Sequence, residues 1–167
     1  MEYRMYFFVP YNISEIQKGI QAGHAALEYA EQYGLQDDYR DFIENNKTWI
    51  ILNGGTTRSS PEYETSGTMN QILDDLRANN VHCQYFLEPD LNNALTAVCF
   101  LADERVWDLE TYPDFDSNVY GKSWVLGTGA MSALQVCPEE IYQEWVKFVG
   151  GKKNVFLRTL IKDKRLA

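Results

Sequence analysis

Residues 12–33 read NISEIQKGIQAGHAALEYAEQY, and how this one helix is faced arranges the rest of the chain. Asn12 followed by Glu15 marks its start: the Asn side chain can cap free backbone N–H groups while Glu15 reaches back. At about 100° per residue, Ile13, Ile16, Ile20 and Leu27 fall on one stripe, the expected core face. Gly19, Gly23, Ala26 and Ala30 lie beside it as a seam of small residues that lets another backbone come close. Gln17, Gln21, His24 and Glu28 form a polar row on the other flank, at the edge of the core where a cleft would open.

Outward from this helix, Met5 to Val9 is a short apolar run ended by Pro10, which suits a buried strand feeding into it. A shorter helical segment follows around Gln36 to Asn45. Thr48 to Leu52 gives a second strand, broken by Asn53-Gly54-Gly55-Thr56-Thr57, and Arg58 to Gly67 reads as an exposed loop. Met69 to Asn79 is a further amphipathic helix with Met69, Ile72, Leu73 and Leu76 on one face and Asn79-Asn80 as its stop. Two strands, Cys83 to Leu87 and Leu95 to Leu101, complete the order β, α, α, β, α, β, β. That order predicts an α/β fold with a four-stranded mixed, partly parallel sheet flanked by helices.

Beyond residue 102 a helix is expected over Glu104 to Asp108, a turn at Tyr112 to Phe115, and an irregular segment or strand pair over Trp124 to Leu134. Pro138 with Glu139 and Glu140 opens a helix through Phe148, stopped by Gly150-Gly151. Asn154 to Ile161 is a last, mostly apolar piece. Residues 103–167 read as an extension packed on the 1–102 domain, with no linker between them.

The 167 residues, 45% hydrophobic, suffice for one domain with a sizeable core. No run approaches the roughly 18 apolar residues of a membrane span and the start lacks a signal-peptide pattern, so a cytoplasmic protein is expected. Cys83, Cys99 and Cys137 are odd in number and widely spaced, which reads as buried hydrophobes and not as a disulfide or zinc set. Two histidines without a carboxylate pair at helical spacing offer no metal constellation. The Gly54-Gly55-Thr56-Thr57 segment lacks the Lys-Ser/Thr ending of a nucleotide cradle, so no cofactor is expected. The formal charge of −9 is uneven. Beyond Glu144, seven cations meet only Asp163, leaving +6 on that end and −15 on the rest. A basic end of this kind either contacts nucleic-acid phosphates or docks on the protein's own acidic body or a neighbouring subunit.

The span from about residue 3 to 102 resembles the class-two peptidyl-tRNA hydrolases of archaea and eukaryotes, whose first helix carries a G-K-x-A-A-Q-x-x-H-A pattern. Gln21-Ala22-Gly23-His24-Ala25 matches the Q-x-x-H-A half. Lys47, before TWIIL, resembles the lysine that opens that family's second strand, and Asp90 and Thr96 resemble its D-A-G-x-T…T segment. The family's helix lysine is replaced by Gln17, with Lys18 one step further and about 100° round the helix. Asp90 is followed by Leu91-Asn92 where the family has A-G.

The resemblance implies a three-layer sandwich and hydrolysis of the ester joining a peptide to the terminal ribose of tRNA. It places Gln21, His24, Asp90 and Thr96 in the catalytic cleft and Gln17, Lys18, Lys47 and Asn92 against the substrate. Asp90 would accept a proton or orient His24, the side chain titrating nearest neutrality, and Gln21 and Thr96 would supply neutral donors. The implied partners are the tRNA 3′ end, reached through the basic C-terminal end, and a second copy in a homodimer. Two function classes fit: a metal-independent esterase on peptidyl-tRNA or a related 3′-acylated nucleotide, and a non-catalytic protein using the same cleft for another ligand or partner.

Overall fold

Strand β1, Tyr3–Pro10, is buried along its length from Met5. It is central to a four-stranded open sheet of order β2-β1-β4-β3, with β2 at Thr48–Gly55, β3 at Cys83–Glu88 and β4 at Ala94–Asp103. A computed structural model describes residues 1–57, 67–116 and 138–167; the expectations for the loop after Arg58, for Trp124 to Leu134 and for Cys137 lie outside the described residues. β1 pairs parallel with β2 and antiparallel with β4, and β4 antiparallel with β3, so the sheet is mixed as the element order predicts. The chain divides into two compact units, residues 1–104 with 160–167, and residues 105–159.

Helix α1, Glu15–Tyr33, and helix α3, Thr68–Ala78, lie on opposite faces of the sheet. Between α1 and β2 come α2, Asp37–Asp41, and a π-helical turn, Phe42–Asn46. Met5, Phe7 and Val9 point toward α1 and pack with Ala22, Ala25 and Tyr29, while the alternate residues Tyr6 and Phe8 stack on Phe100 on the other side. Helix α3 buries Met69, Ile72, Leu73 and Leu76, the four residues its periodicity selects. It sits so close to β2 that a Cβ at Gly54 would overlap the Met69 sulfur and crowd Phe8.

The facing of α1 departs from the periodicity. Ile16, Ile20 and Leu27 are 78%, 49% and 72% exposed, and the buried positions are Lys18, Gln21, Ala22, Ala25 and Tyr29. The reason is distance of approach. The Cys99 thiol donates to the Ala25 carbonyl at 3.2 Å, a helix-to-sheet contact that only the small face of α1 permits; isoleucines there would hold the helix away. The N-terminal cap also lies two residues later than Asn12. Ser14 Oγ accepts from the Gln17 N–H, and Gln17 Oε1 accepts from the Ser14 N–H, a reciprocal capping box.

The last three residues, Arg165 to Ala167, return to the outer edge of β2. The Asn53 N–H donates to the Arg165 carbonyl at 2.9 Å, the Ala167 N–H donates to the Ile51 carbonyl at 3.0 Å, and Leu166 bridges Leu52. The basic end therefore docks through its backbone, while Lys164 and Arg165 stay exposed. This covers an edge that would otherwise offer unpaired groups to another strand.

Helix α4 runs from Glu104 to Trp107, α5 spans Pro138–Phe148 and α6 spans Lys152–Ile161; the second unit holds their residues from Arg105 to Thr159. Gly150 and Gly151, both at left-handed φ (92° and 97°), end α5, as their position suggests. Trp145, Val146 and Val149 form the apolar centre with Tyr112, Phe115, Tyr142 and Val155. Buried Arg158 donates to the carbonyls of Arg105 (2.7 Å) and Tyr112 (2.8 Å) and to the Asp114 carboxylate (2.8 Å). Among the described residues no helix is long and apolar enough to cross a membrane.

Candidate functional site

A chain of polar groups joins α1 to the end of the β3–β4 hairpin. Thr96 Oγ1, fully buried, donates to Gln21 Oε1 at 2.7 Å, and Gln21 Nε2 donates to a Glu88 carboxylate oxygen at 2.6 Å. The two bonds fix the Gln21 amide orientation, since its oxygen can only accept and its nitrogen only donate. The other Glu88 oxygen accepts from the Asp90 N–H at 3.4 Å. One carboxylate thus anchors both the helix and the short 3-10 turn Pro89–Leu91.

Thr96 reaches α1 because the strand pairing is irregular at this point. Phe86 pairs with Ala97 and Leu87 with Leu95, leaving Thr96 as an extra residue with no partner across the hairpin. Such a bulge re-aims a side chain, and here it turns the hydroxyl onto the α1 face. His24, one turn beyond Gln21, is half-buried and sets its ring edge-on to Phe86, centroids 4.4 Å apart. On the turn before Gln21, Lys18 buries its stem on the same face, and its Nζ lies 2.8 Å from a Glu15 carboxylate oxygen.

Of the residues expected at a site, Gln21, Thr96 and His24 gather against Phe86 and Glu88, with Lys18 at the near end of the row. The others do not join them. Gln17 is exposed and occupied in the N-terminal capping box, because α1 is rotated so that position 18, not 17, faces inward. Asp90 is exposed in the 3-10 turn, and no hydrogen bond links its carboxylate to His24 or Gln21 among the described residues. Asn92 is exposed and ends that turn in a left-handed conformation, φ 54°.

Lys47, also left-handed at φ 57°, precedes Thr48, which lies level with Arg4 and, across β1, with Ala102. Ala102 is six residues along β4 from Thr96, roughly 20 Å at strand rise, and β2 is the opposite edge strand from β3. Lys47 is therefore at the far end of the sheet.

Glu88 is the residue that sequence reasoning missed. The available signal was strand parity, since Phe86 and Glu88 alternate onto one face, but Asp90 in the adjoining turn drew the carboxylate role. Burial pushes the Cys99 thiol well above its usual range, so it stays protonated and serves packing, not nucleophilic chemistry. Chemically, the row offers a neutral amide and hydroxyl, a half-buried imidazole able to exchange protons, and a carboxylate at the rim.

No protein-family model matches the chain, and no curated protein matches it in sequence.

Proposed function

We propose that the polar row between α1 and the β3–β4 hairpin serves a site that hydrolyses the ester of peptidyl-tRNA or a related 3′-acylated nucleotide without a metal ion. The observation that carries this reading is the direct contact of Gln21 with Thr96 and Glu88 beside His24, four side chains from three elements brought to one side of the sheet. His24 accepts the proton of the attacking water, the second Nε2–H of Gln21 faces the developing oxyanion while buried Thr96 holds the Gln21 amide in place, and Glu88 takes the carboxylate role expected of Asp90. The tRNA 3′ end and a homodimeric state belong to the same proposal, as does the likeness to class-two peptidyl-tRNA hydrolases. Exposed Lys164 and Arg165 support contact with phosphates.

A second reading, a non-catalytic binding protein on the same fold, is favoured by one feature. Gln21 and Thr96 satisfy one another, and the nearest ammonium, Lys18, is held by Glu15. A release assay on N-acylated aminoacyl-tRNA separates the two. The esterase reading expects release by the wild type and a loss of about 100-fold or more in His24→Ala, with Glu88→Gln also slowed. A wild type that releases nothing, or His24→Ala as fast as wild type, leaves only the binding reading.

A further inference from the structure

Helix α1 carries its apolar stripe on the side away from its own core. Ile16, Ile20 and Leu27 are all exposed, and their spacing keeps them on one line about 16 Å long, opposite the buried face of Ala22 and Ala25. Single exposed apolar residues are ordinary, whereas a continuous helical stripe of them marks a contact surface. One flank is the seam of Gly19 and Gly23, where an added Cβ would meet nothing within 4 Å, so a second backbone can lie close. The other flank carries Glu28 and Glu31, both exposed. The helix's only Lys or Arg, Lys18, is on the buried face and engaged with Glu15.

We propose that this ridge docks a basic amphipathic helix from a partner protein. Apolar side chains of that helix, spaced i, i+3/i+4, i+7, lie along Ile16, Ile20 and Leu27. Its backbone crosses Gly19 and Gly23, and Lys or Arg beside its apolar face meet Glu28 and Glu31. Charge selects this occupant over a second copy of the chain. At this ridge the α1 of a copy offers no exposed Lys or Arg to answer the two glutamates. The proposal is independent of what the neighbouring cleft does.

The test uses the full chain and a fluorescein-labelled Leu/Lys peptide of about five helical turns, read by anisotropy at physiological salt, with a Leu/Glu peptide of the same pattern for comparison. Wild type binds the Leu/Lys peptide and not the Leu/Glu one. Ile16→Ser/Leu27→Ser weakens binding by at least about tenfold, Glu28→Gln/Glu31→Gln weakens it by about threefold to tenfold, and both variants melt with the wild type. Equal binding by Ile16→Ser/Leu27→Ser reduces the effect to general charge attraction and overturns the proposal, as does absence of binding by wild type. A wild-type dimer in sedimentation that Ile16→Ser/Leu27→Ser dissociates assigns the ridge to a second copy, and a variant melting well below wild type shows the stripe is covered within the chain. Either result also overturns it.

Discussion

Replacing Gln21 with Leu tests whether the polar chain holds α1 to the hairpin. Gln21 is 7% exposed and Thr96 is fully buried, so the groups the substitution releases differ in what they can recover. Glu88 is half-buried and can regain water. Thr96 Oγ1 cannot, and its remaining acceptor is the Phe86 carbonyl at a long 3.4 Å. The loss therefore combines a charge-assisted bond, a neutral bond and a nearly orphaned hydroxyl, less what a buried leucine returns, for a net of about 2–4 kcal/mol. With a urea slope of about 2 kcal/mol/M, the midpoint falls by about 1–2 M. Thr96→Val in the Gln21→Leu background removes the orphan and restores about 1–2 kcal/mol. Urea titration of the four proteins by circular dichroism gives the cycle. A Gln21→Leu protein within about 0.5 kcal/mol of wild type, with no coupling to Thr96→Val, would refute a buried Thr96–Gln21–Glu88 chain.

Removing Arg165 to Ala167 strips two backbone hydrogen bonds from β2, lowering stability by about 1–2 kcal/mol and opening the sheet edge; light scattering should show concentration-dependent association beyond that of the full chain. Arg158→Leu deletes three hydrogen bonds inside the second unit, a loss of about 2–4 kcal/mol read as faster proteolytic cleavage within residues 105–159. Burial pushes the Tyr6 hydroxyl up to about 12, against a smaller lowering by Arg4, so folding favours the neutral phenol. Its contribution is whole below about pH 10 and is lost as pH rises toward 12. Tyr6→Phe should therefore shift the alkaline unfolding midpoint upward in a circular dichroism titration, and an unmoved midpoint would show that this phenol is not protected.

The legible parts of the fold are those where apolar bulk and burial agree. Helix α3 faces the sheet with Met69, Ile72, Leu73 and Leu76 because no polar residue competes for that side, and the strands follow their apolar runs between Gly, Pro and Asn breaks. Helix α1 is where the rule fails. Its large apolar residues look outward and its amide and small residues inward, since the approach to Cys99 leaves space for Ala25 and not for an isoleucine. A periodicity measure rewards bulk and has no term for a glutamine whose two ends are both satisfied.

That single rotation governs both surfaces of the helix. Turning position 18 inward takes Gln17 out of the row, exposes the Ile16–Leu27 ridge, and brings Gln21 to the bulged Thr96. The bulge matters equally: with regular pairing Thr96 would alternate to the α3 side and Gln21 would lose its donor. No composition or periodicity encodes an extra residue in a hairpin, so Glu88 stayed hidden behind Asp90 while the motif residues Gln21, His24 and Thr96 did not. Motif order singles out Gln21, His24 and Thr96, and the helix's closest backbone contact decides which face of α1 meets the hairpin. The same contact leaves α1 with a polar row on one face and an unanswered apolar ridge on the other, so substitutions along Ile16, Ile20 and Leu27 can alter association without touching Gln21, Glu88 or Thr96.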